Sequence, residues 1–330
     1  MKSPNRPILG LRKPTLQLAC SALSPAPGKI YPARKVVNRQ QVWEHVIGHA
    51  GSISQDLVLA AEAAKAAGEV ILAGQEKLAN GETTVEQKGV GDLVSQVDRD
   101  ADLAATKILR SSSDLAILSE ELHDDVAEQD DMWIVDPLDA SSAYLMQAGV
   151  QYPAVLVALR RGGDTTVGVN YFPLTGEWFY AQKSRGAWRD GKRLISNSDE
   201  SLSEIWVEMN QYGASEHETE YFSNLRNRLR SSSGAQLVTT NVPHSGVAVR
   251  IAQGISSLAA AIHDNNPESV KQGVWDIAAP QVILEEAGGV FVNPDGHRTD
   301  PFTVEPIIVA RTPEIAKHIV DLGRSLPVGN

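Results

Sequence analysis

The chain of 330 residues is 42% hydrophobic and carries 30 Lys and Arg against 41 Asp and Glu, a net charge of −11. That length supports one large domain or two intimate ones with an ample core. Its single cysteine, Cys20, excludes an intramolecular disulfide and a thiolate zinc site, and fits a reducing compartment.

The charge is unevenly spread, because residues 1–40 hold eight of the basic residues and no acidic one. The remaining body, with 22 basic against 41 acidic residues, repels nucleic-acid backbones and anionic membranes, so an anionic substrate needs cations to be held there. Residues 1–45, basic and rich in proline, read as a disordered or transit-like arm. No apolar run approaches the roughly 18 residues needed to cross a bilayer. The expectation is a soluble cytoplasmic protein with no membrane or nucleic-acid partner, imported into an organelle if the arm is a transit peptide.

Leu57, Ala60, Ala61, Ala64, Gly68 and Ile71 recur at helical spacing and predict a helix over 54–78 with a small-residue face, ended by Asn80-Gly81. A turn at 89–92 leads to a second helical stretch through 98–109, offering Leu103, Ala104 and Ile108 to the core. The period then changes. Short apolar runs at 115–118 and 133–135 each lead straight into acidic residues, as buried strands do where they end at a site. Strands are expected at 153–159, 166–172 and 178–181, with Pro173-Leu174-Thr175-Gly176 as a hairpin turn. Beyond about residue 201 come a strand at 205–209, helical runs near 218–230 and 247–253, a helix at 275–287 stopped by Gly288-Gly289, and a strand at 290–292. The mixture predicts an α+β layered architecture, divided at 46–200 and 201–330.

Four segments supply carboxylates: Asp92 with Asp98, Glu120 with Glu121, Asp136 with Asp139, and Asp276. Hard divalent ions take oxygen ligands of this kind. In Trp133-Ile134-Val135-Asp136-Pro137-Leu138-Asp139-Ala140-Ser141, two aspartates three apart share a side only if Pro137 forces a turn, since plain strand alternation puts them on opposite faces. The Leu138 carbonyl can then face a metal, and the N–H groups of Ala140 and Ser141 can receive a phosphate. The plainer readings are a capped turn for Asp139 or Ser141, a helix N-cap for Asp276, and a solvated loop for Asp124 and Asp125. Among the eight histidines only His45 and His49 stand at H-x-x-x-H spacing, remote along the chain from the carboxylate motifs, so no histidine is assigned as a ligand; Trp188 and Trp206 are assigned to the core.

These motifs resemble those of the inositol monophosphatase superfamily, which includes the 3'(2'),5'-bisphosphate nucleotidases. Leu118-Ser119-Glu120-Glu121, the Trp133 to Ser141 string, Trp275-Asp276-Ile277-Ala278-Ala279 with Glu286-Ala287-Gly288-Gly289, and Asp92-Leu93-Val94 with Asp98 match in order. The resemblance implies a layered α/β/α/β/α sandwich. It implies that Glu120, Asp136 and the Leu138 carbonyl bind one Mg²⁺ while Asp136, Asp139 and Asp276 bind another, with a third, weaker ion reached by Glu120 through water. It further implies that Ser141, with Asp98 accepting its hydroxyl proton, aligns a water attacking phosphorus, that Ala140, Ser141 and Asp276 touch substrate, and that Li⁺ inhibits a homodimer.

The chain departs from the family at Ala140 and Ser119, both commonly glycine, at Ser141 for threonine, and at Ser245-Gly246-Val247-Ala248. Inositol-specific members carry glutamate where this chain has Ser269, and the motifs lie slightly closer to the nucleotidases. The substrate is therefore expected to be a small phosphorylated polyol or nucleotide, of the inositol monophosphate or 3'-phosphoadenosine 5'-phosphate class. The alternatives are a phosphate-ligand sensor or scaffold with weakened turnover, and a fructose-1,6-bisphosphatase-like sugar phosphatase.

Overall fold

The computed structural model describes residues 54–83, 85–89, 92–122, 126–145, 153–196, 206–209, 224–233, 237–240, 259–262, 273–303 and 307–324. The first helix, α1 (Gln55–Ala79), starts at Ser54, whose hydroxyl accepts the Leu57 N–H at 3.2 Å. Asp56 in its first turn and Lys77 in its last complement the helix dipole. A short antiparallel pair, β1 (Val85–Gly89) and β2 (Asp92–Ser95), leads into α2 (Gln96–Arg110) through a reciprocal cap: Ser95 caps the helix, and Asp98 accepts the Ser95 N–H at 2.8 Å.

A seven-stranded sheet follows in sequence order: β3 (Ala116–Ser119), β4 (Met132–Asp139), β5 (Ala154–Arg161), β6 (Asp164–Phe172), β7 (Glu177–Gln182), β8 (Gly186–Arg189) and β9 (Lys192–Leu194). Only the β3–β4 pair is parallel. A short helix, α3 (Ser141–Leu145), leaves the end of β4. The five-stranded sheet has the order β11-β10-β12-β14-β13, built from β10 (Trp206–Met209), β11 (Leu237–Thr240), β12 (Ala259–Ile262), β13 (Val290–Val292) and β14 (Ile307–Ala310). Between its strands the chain forms α4 (Val274–Ala287), and it closes with α5 (Pro313–Arg324).

Strand alternation sorts the core into layers. Trp133, Val135, Val155, Val157, Val167 and Val169 point toward α1 and α2, whereas Ile134, Leu156, Ala158, Phe172 and Phe179 point toward α4. Phe291, Ile307 and Val309 of the second sheet meet the other side of α4, and Ile308 and Ala310 meet Ile315, Ile319 and Val320 of α5. The order is helices, sheet, α4, sheet, α5: the expected five-layer α+β sandwich. It also explains why α4 is buried along most of its length, with its carboxylates Asp276, Glu285 and Glu286 confined to its two ends.

Close approach depends on small residues. At Gly168 of β6, a β-carbon would lie 2.4 Å from Val282 and 2.6 Å from the Ala279 carbonyl, so α4 rests directly on the sheet. At Gly74, a β-carbon would lie 2.6 Å from Val97 and 2.9 Å from the Tyr144 hydroxyl. That hydroxyl donates to the Ile71 carbonyl at 2.9 Å, tying α3 to α1.

Most expected elements fall within two residues of the observed ones. The core face of α2 differs: it is Val97, Ala101, Ala105 and Leu109, while Leu103 is 58% exposed and Ala104 and Ile108 are half-buried. Gly89 and Asp92, the ends of the expected turn, pair with each other in β1–β2. Residues 1–45, the helical run at 247–253, Ser245-Gly246, Ser269, Asp124 and Asp125, and the side chains of Asp92 and Trp206 lie outside the described set. No helix among the described residues is long and apolar enough to cross a membrane.

Candidate metal and phosphate site

The site forms where β4 ends. Asp136 pairs with Leu156 on β5 and Asp139 pairs with Ala154, so three steps along β4 match two along β5. This bulge inserts one residue and returns both aspartates to the α4 side of the sheet. The Asp136 carboxylate fixes the bulge itself, because its Oδ1 accepts the Leu138 N–H at 2.9 Å. The turn thus couples Pro137, expected as its cause, with a side-chain hydrogen bond that the sequence did not reveal.

From the other side, Gly273 in the left-handed region (φ 89°) starts α4, and Asp276 stands in its first turn. Carboxylate oxygens of Asp136, Asp139 and Asp276 all lie within 4.8 Å of one another. Glu120 follows β3, which runs parallel beside β4, and its N–H donates to the Val135 carbonyl at 3.2 Å.

Asp136 and Asp139 are 1% and 8% exposed. Burial pushes the Asp136 carboxyl well above the ordinary carboxylate range, and the charges of Glu120, Asp276 and Asp139 push it further the same way. Its Oδ2 is buried with no hydrogen-bond partner among the described residues. Converging, mutually repelling carboxylates with an orphaned buried oxygen fit a hard divalent cation, which would satisfy the oxygen and offset the repulsion.

Beyond the carboxylates, Ala140 has φ 70°, a conformation that costs a residue with a β-carbon and suits the glycine expected there in relatives. Ser141 donates its hydroxyl to the Leu138 carbonyl at 2.8 Å. Asp98 is fully buried, with Oδ2 accepting the Ser95 N–H at 2.8 Å and the Ser95 hydroxyl at 2.7 Å, and with Oδ1 unpartnered among the described residues. Asp98 and Ser141 therefore do not share the expected direct hydrogen bond in this structure. The Asp98 charge, after burial, also raises the pKa of the Tyr144 phenol.

Asp102, one helical turn after Asp98, has no place in the motifs. It is fully buried, and its carboxylate accepts the Ser119 hydroxyl at 3.0 Å and the N–H groups of Glu121 and Leu122 at 3.1 and 3.2 Å. Its spacing of four from Asp98 was the only sequence signal for it.

The inositol monophosphatase family model matches residues 53–325. The chain belongs to the inositol monophosphatase family. Among its relatives in that family, the fructose-1,6-bisphosphatase/inositol-1-monophosphatase of Aquifex aeolicus is 29% identical over 258 residues, covering 78% of this chain and 91% of the relative. The Nus factor SuhB of Salmonella typhimurium is 30% identical over 267 residues, covering 80% and 94%. The structure of the extragenic suppressor protein SuhB from Bartonella henselae superposes with a TM-score of 0.69 at 22% identity, covering 82% of this chain and 99% of that one, a likeness of fold. Family membership makes this chain a phosphatase and is consistent with a small phosphorylated substrate; the family is generally metal-dependent, and an acidic cluster is present here.

Proposed function

We propose that the protein is a Mg²⁺-dependent phosphomonoesterase hydrolysing a small phosphorylated polyol or nucleotide, of the inositol monophosphate or 3'-phosphoadenosine 5'-phosphate class. The observation that carries this reading is the trio of Asp136, Asp139 and Asp276 within 4.8 Å, beside an Asp136 oxygen with no hydrogen-bond partner among the described residues. In this reading Glu120, Asp136 and the Leu138 carbonyl would hold one ion, Asp136, Asp139 and Asp276 would hold a second, and Glu120 would contribute to a third, weaker one. When bound, Mg²⁺ neutralises the phosphate and lowers the pKa of water.

The protein groups do the rest. Ser141 orients the attacking water once its hydroxyl turns from the Leu138 carbonyl, whose second lone pair remains available for an ion. The unpartnered Oδ1 of Asp98 is the acceptor that would hold Ser141 in that orientation. The N–H groups of Ala140 and Ser141 receive phosphate oxygens, and Asp276 contacts the alcohol side of the substrate. Homodimerisation, inhibition by Li⁺ and a cytoplasmic location complete the proposal.

The test is phosphate release from inositol 1-phosphate, 3'-phosphoadenosine 5'-phosphate and fructose 1,6-bisphosphate, with Mg²⁺ and with chelator. The third substrate is included because the Aquifex relative carries that name. Mg²⁺-dependent release from one of the first two, inhibited by millimolar Li⁺, is expected. Release unaffected by chelator would overturn the reading.

A further inference from the structure

We propose that Asp102, braced by Ser119, is a positioning residue that fixes the direction of Glu120 and thereby sets metal affinity; this rests on the metal role given to Glu120 above. The three N–H groups that follow β3 are all tied: that of Glu120 to the Val135 carbonyl at 3.2 Å, those of Glu121 and Leu122 to Asp102 Oδ2 at 3.1 and 3.2 Å. With the peptides on one side of Glu120 held by β4 and those on the other held by α2, the Cα–Cβ bond of Glu120 has one direction. Glu120 is close enough for its charge to raise the Asp136 pKa.

The remaining Asp102 oxygen accepts the hydroxyl of Ser119 at 3.0 Å. Ser119 is fully buried, so its hydroxyl is a specific brace rather than a solvated surface group. Asp98 and Asp102 stand one turn apart on α2, so this helix indexes the β3 turn through Asp102 while Asp98 caps the helix start. A carboxylate serving three donors orients the turn as an outer-shell partner orients a metal ligand.

The test is calorimetric Mg²⁺ titration of Asp102→Ala, Asp102→Asn, Ser119→Ala, Glu120→Gln and the Asp102→Ala/Glu120→Gln double variant, with amide exchange of Glu121 and Leu122. Asp102→Ala should weaken Mg²⁺ binding about 10–100-fold. Asp102→Asn, which keeps a carbonyl oxygen for the two N–H groups, should recover most of it, and Ser119→Ala should cost about threefold. In the Glu120→Gln background, Asp102→Ala should add little, because both act through the same side chain.

Additive losses in the double variant, or wild-type affinity in a folded Asp102→Ala protein, would overturn the proposal. If Asp102→Ala does not fold, wild-type affinity in Ser119→Ala would overturn it instead. If Glu120→Gln alone leaves Mg²⁺ binding unchanged, the metal role of Glu120 fails and this proposal with it. Amide exchange then separates the two parts: faster exchange at Glu121 and Leu122 in Asp102→Ala shows the brace is real though its metal consequence is not.

Discussion

Asp136 and Asp139 share a face of the sheet because β4 spends three residues where β5 spends two, from Leu156 to Ala154. Without that extra residue, strand alternation would turn one of them toward α1 and α2. The site therefore depends on a local irregularity held by the Asp136–Leu138 hydrogen bond.

Removing one carboxylate should trade function for stability. Asp276→Asn relieves repulsion on Asp136 and should stabilise the metal-free protein by on the order of 1 kcal/mol. It should also weaken Mg²⁺ binding and abolish most turnover. Urea unfolding in chelator beside a Mg²⁺ titration checks both; a destabilised, fully active variant would contradict the repulsive cluster.

The raised Asp136 pKa gives a pH signature. In metal-free protein the folded state holds a proton that the unfolded chain has released, so this group's contribution to stability falls as pH rises from the unfolded carboxylate value toward the folded one. Mg²⁺ must displace that proton, so the melting-temperature rise it confers should grow with pH across the same window. Differential scanning calorimetry from about pH 4 upward, with and without Mg²⁺, measures this. A metal-induced shift independent of pH would contradict it.

Ala140 bears a left-handed backbone, φ 70°, at the edge of the site. Ala140→Gly should raise stability by up to about 1 kcal/mol, the penalty of the β-carbon less the extra freedom of glycine when unfolded. Ala140→Val should lower it. Denaturant midpoints of the two variants decide the point.

Gly168 lies far from the motifs along the chain yet seats the helix that carries Asp276. A methyl group there meets the Ala279 carbonyl, a backbone atom that cannot swing aside. Gly168→Ala should cost about 1–3 kcal/mol and weaken Mg²⁺ binding together with stability. Unfolding curves and Mg²⁺ titration of the same variant test the linkage.

Ser141→Ala and Asp98→Asn should each lower kcat by about 10²-fold or more while leaving Mg²⁺ affinity largely intact. Steady-state kinetics and calorimetry on each variant separate the two quantities. Unchanged turnover in either would remove that residue from the mechanism.

The strands that run into acids were legible because a short apolar run meets a carboxylate, as at Val135-Asp136; the end of β4 was not, because the strand continues through its bulge to Asp139. The face of α2 was not, because its stripe is built from Ala101 and Ala105, whose hydrophobic signal is weak beside the exposed Leu103. The strands β8 and β9 are three or four residues long and include Arg189, Lys192 and Arg193, too short and too charged to show alternation. At the site, residue types and order announced Asp136, Asp139 and Asp276. Asp102 escaped notice because its partners are mostly backbone N–H groups, which leave no trace in side-chain spacing.

Mn²⁺ soaked into crystals of the protein, located by its anomalous scattering, bears most directly on whether this acidic cluster holds metal. Peaks within coordination distance of Asp136 and bridging to Glu120, Asp139 or Asp276 are expected. An ordered site with all four carboxylates in place and no anomalous density at saturating Mn²⁺ would contradict the assignment.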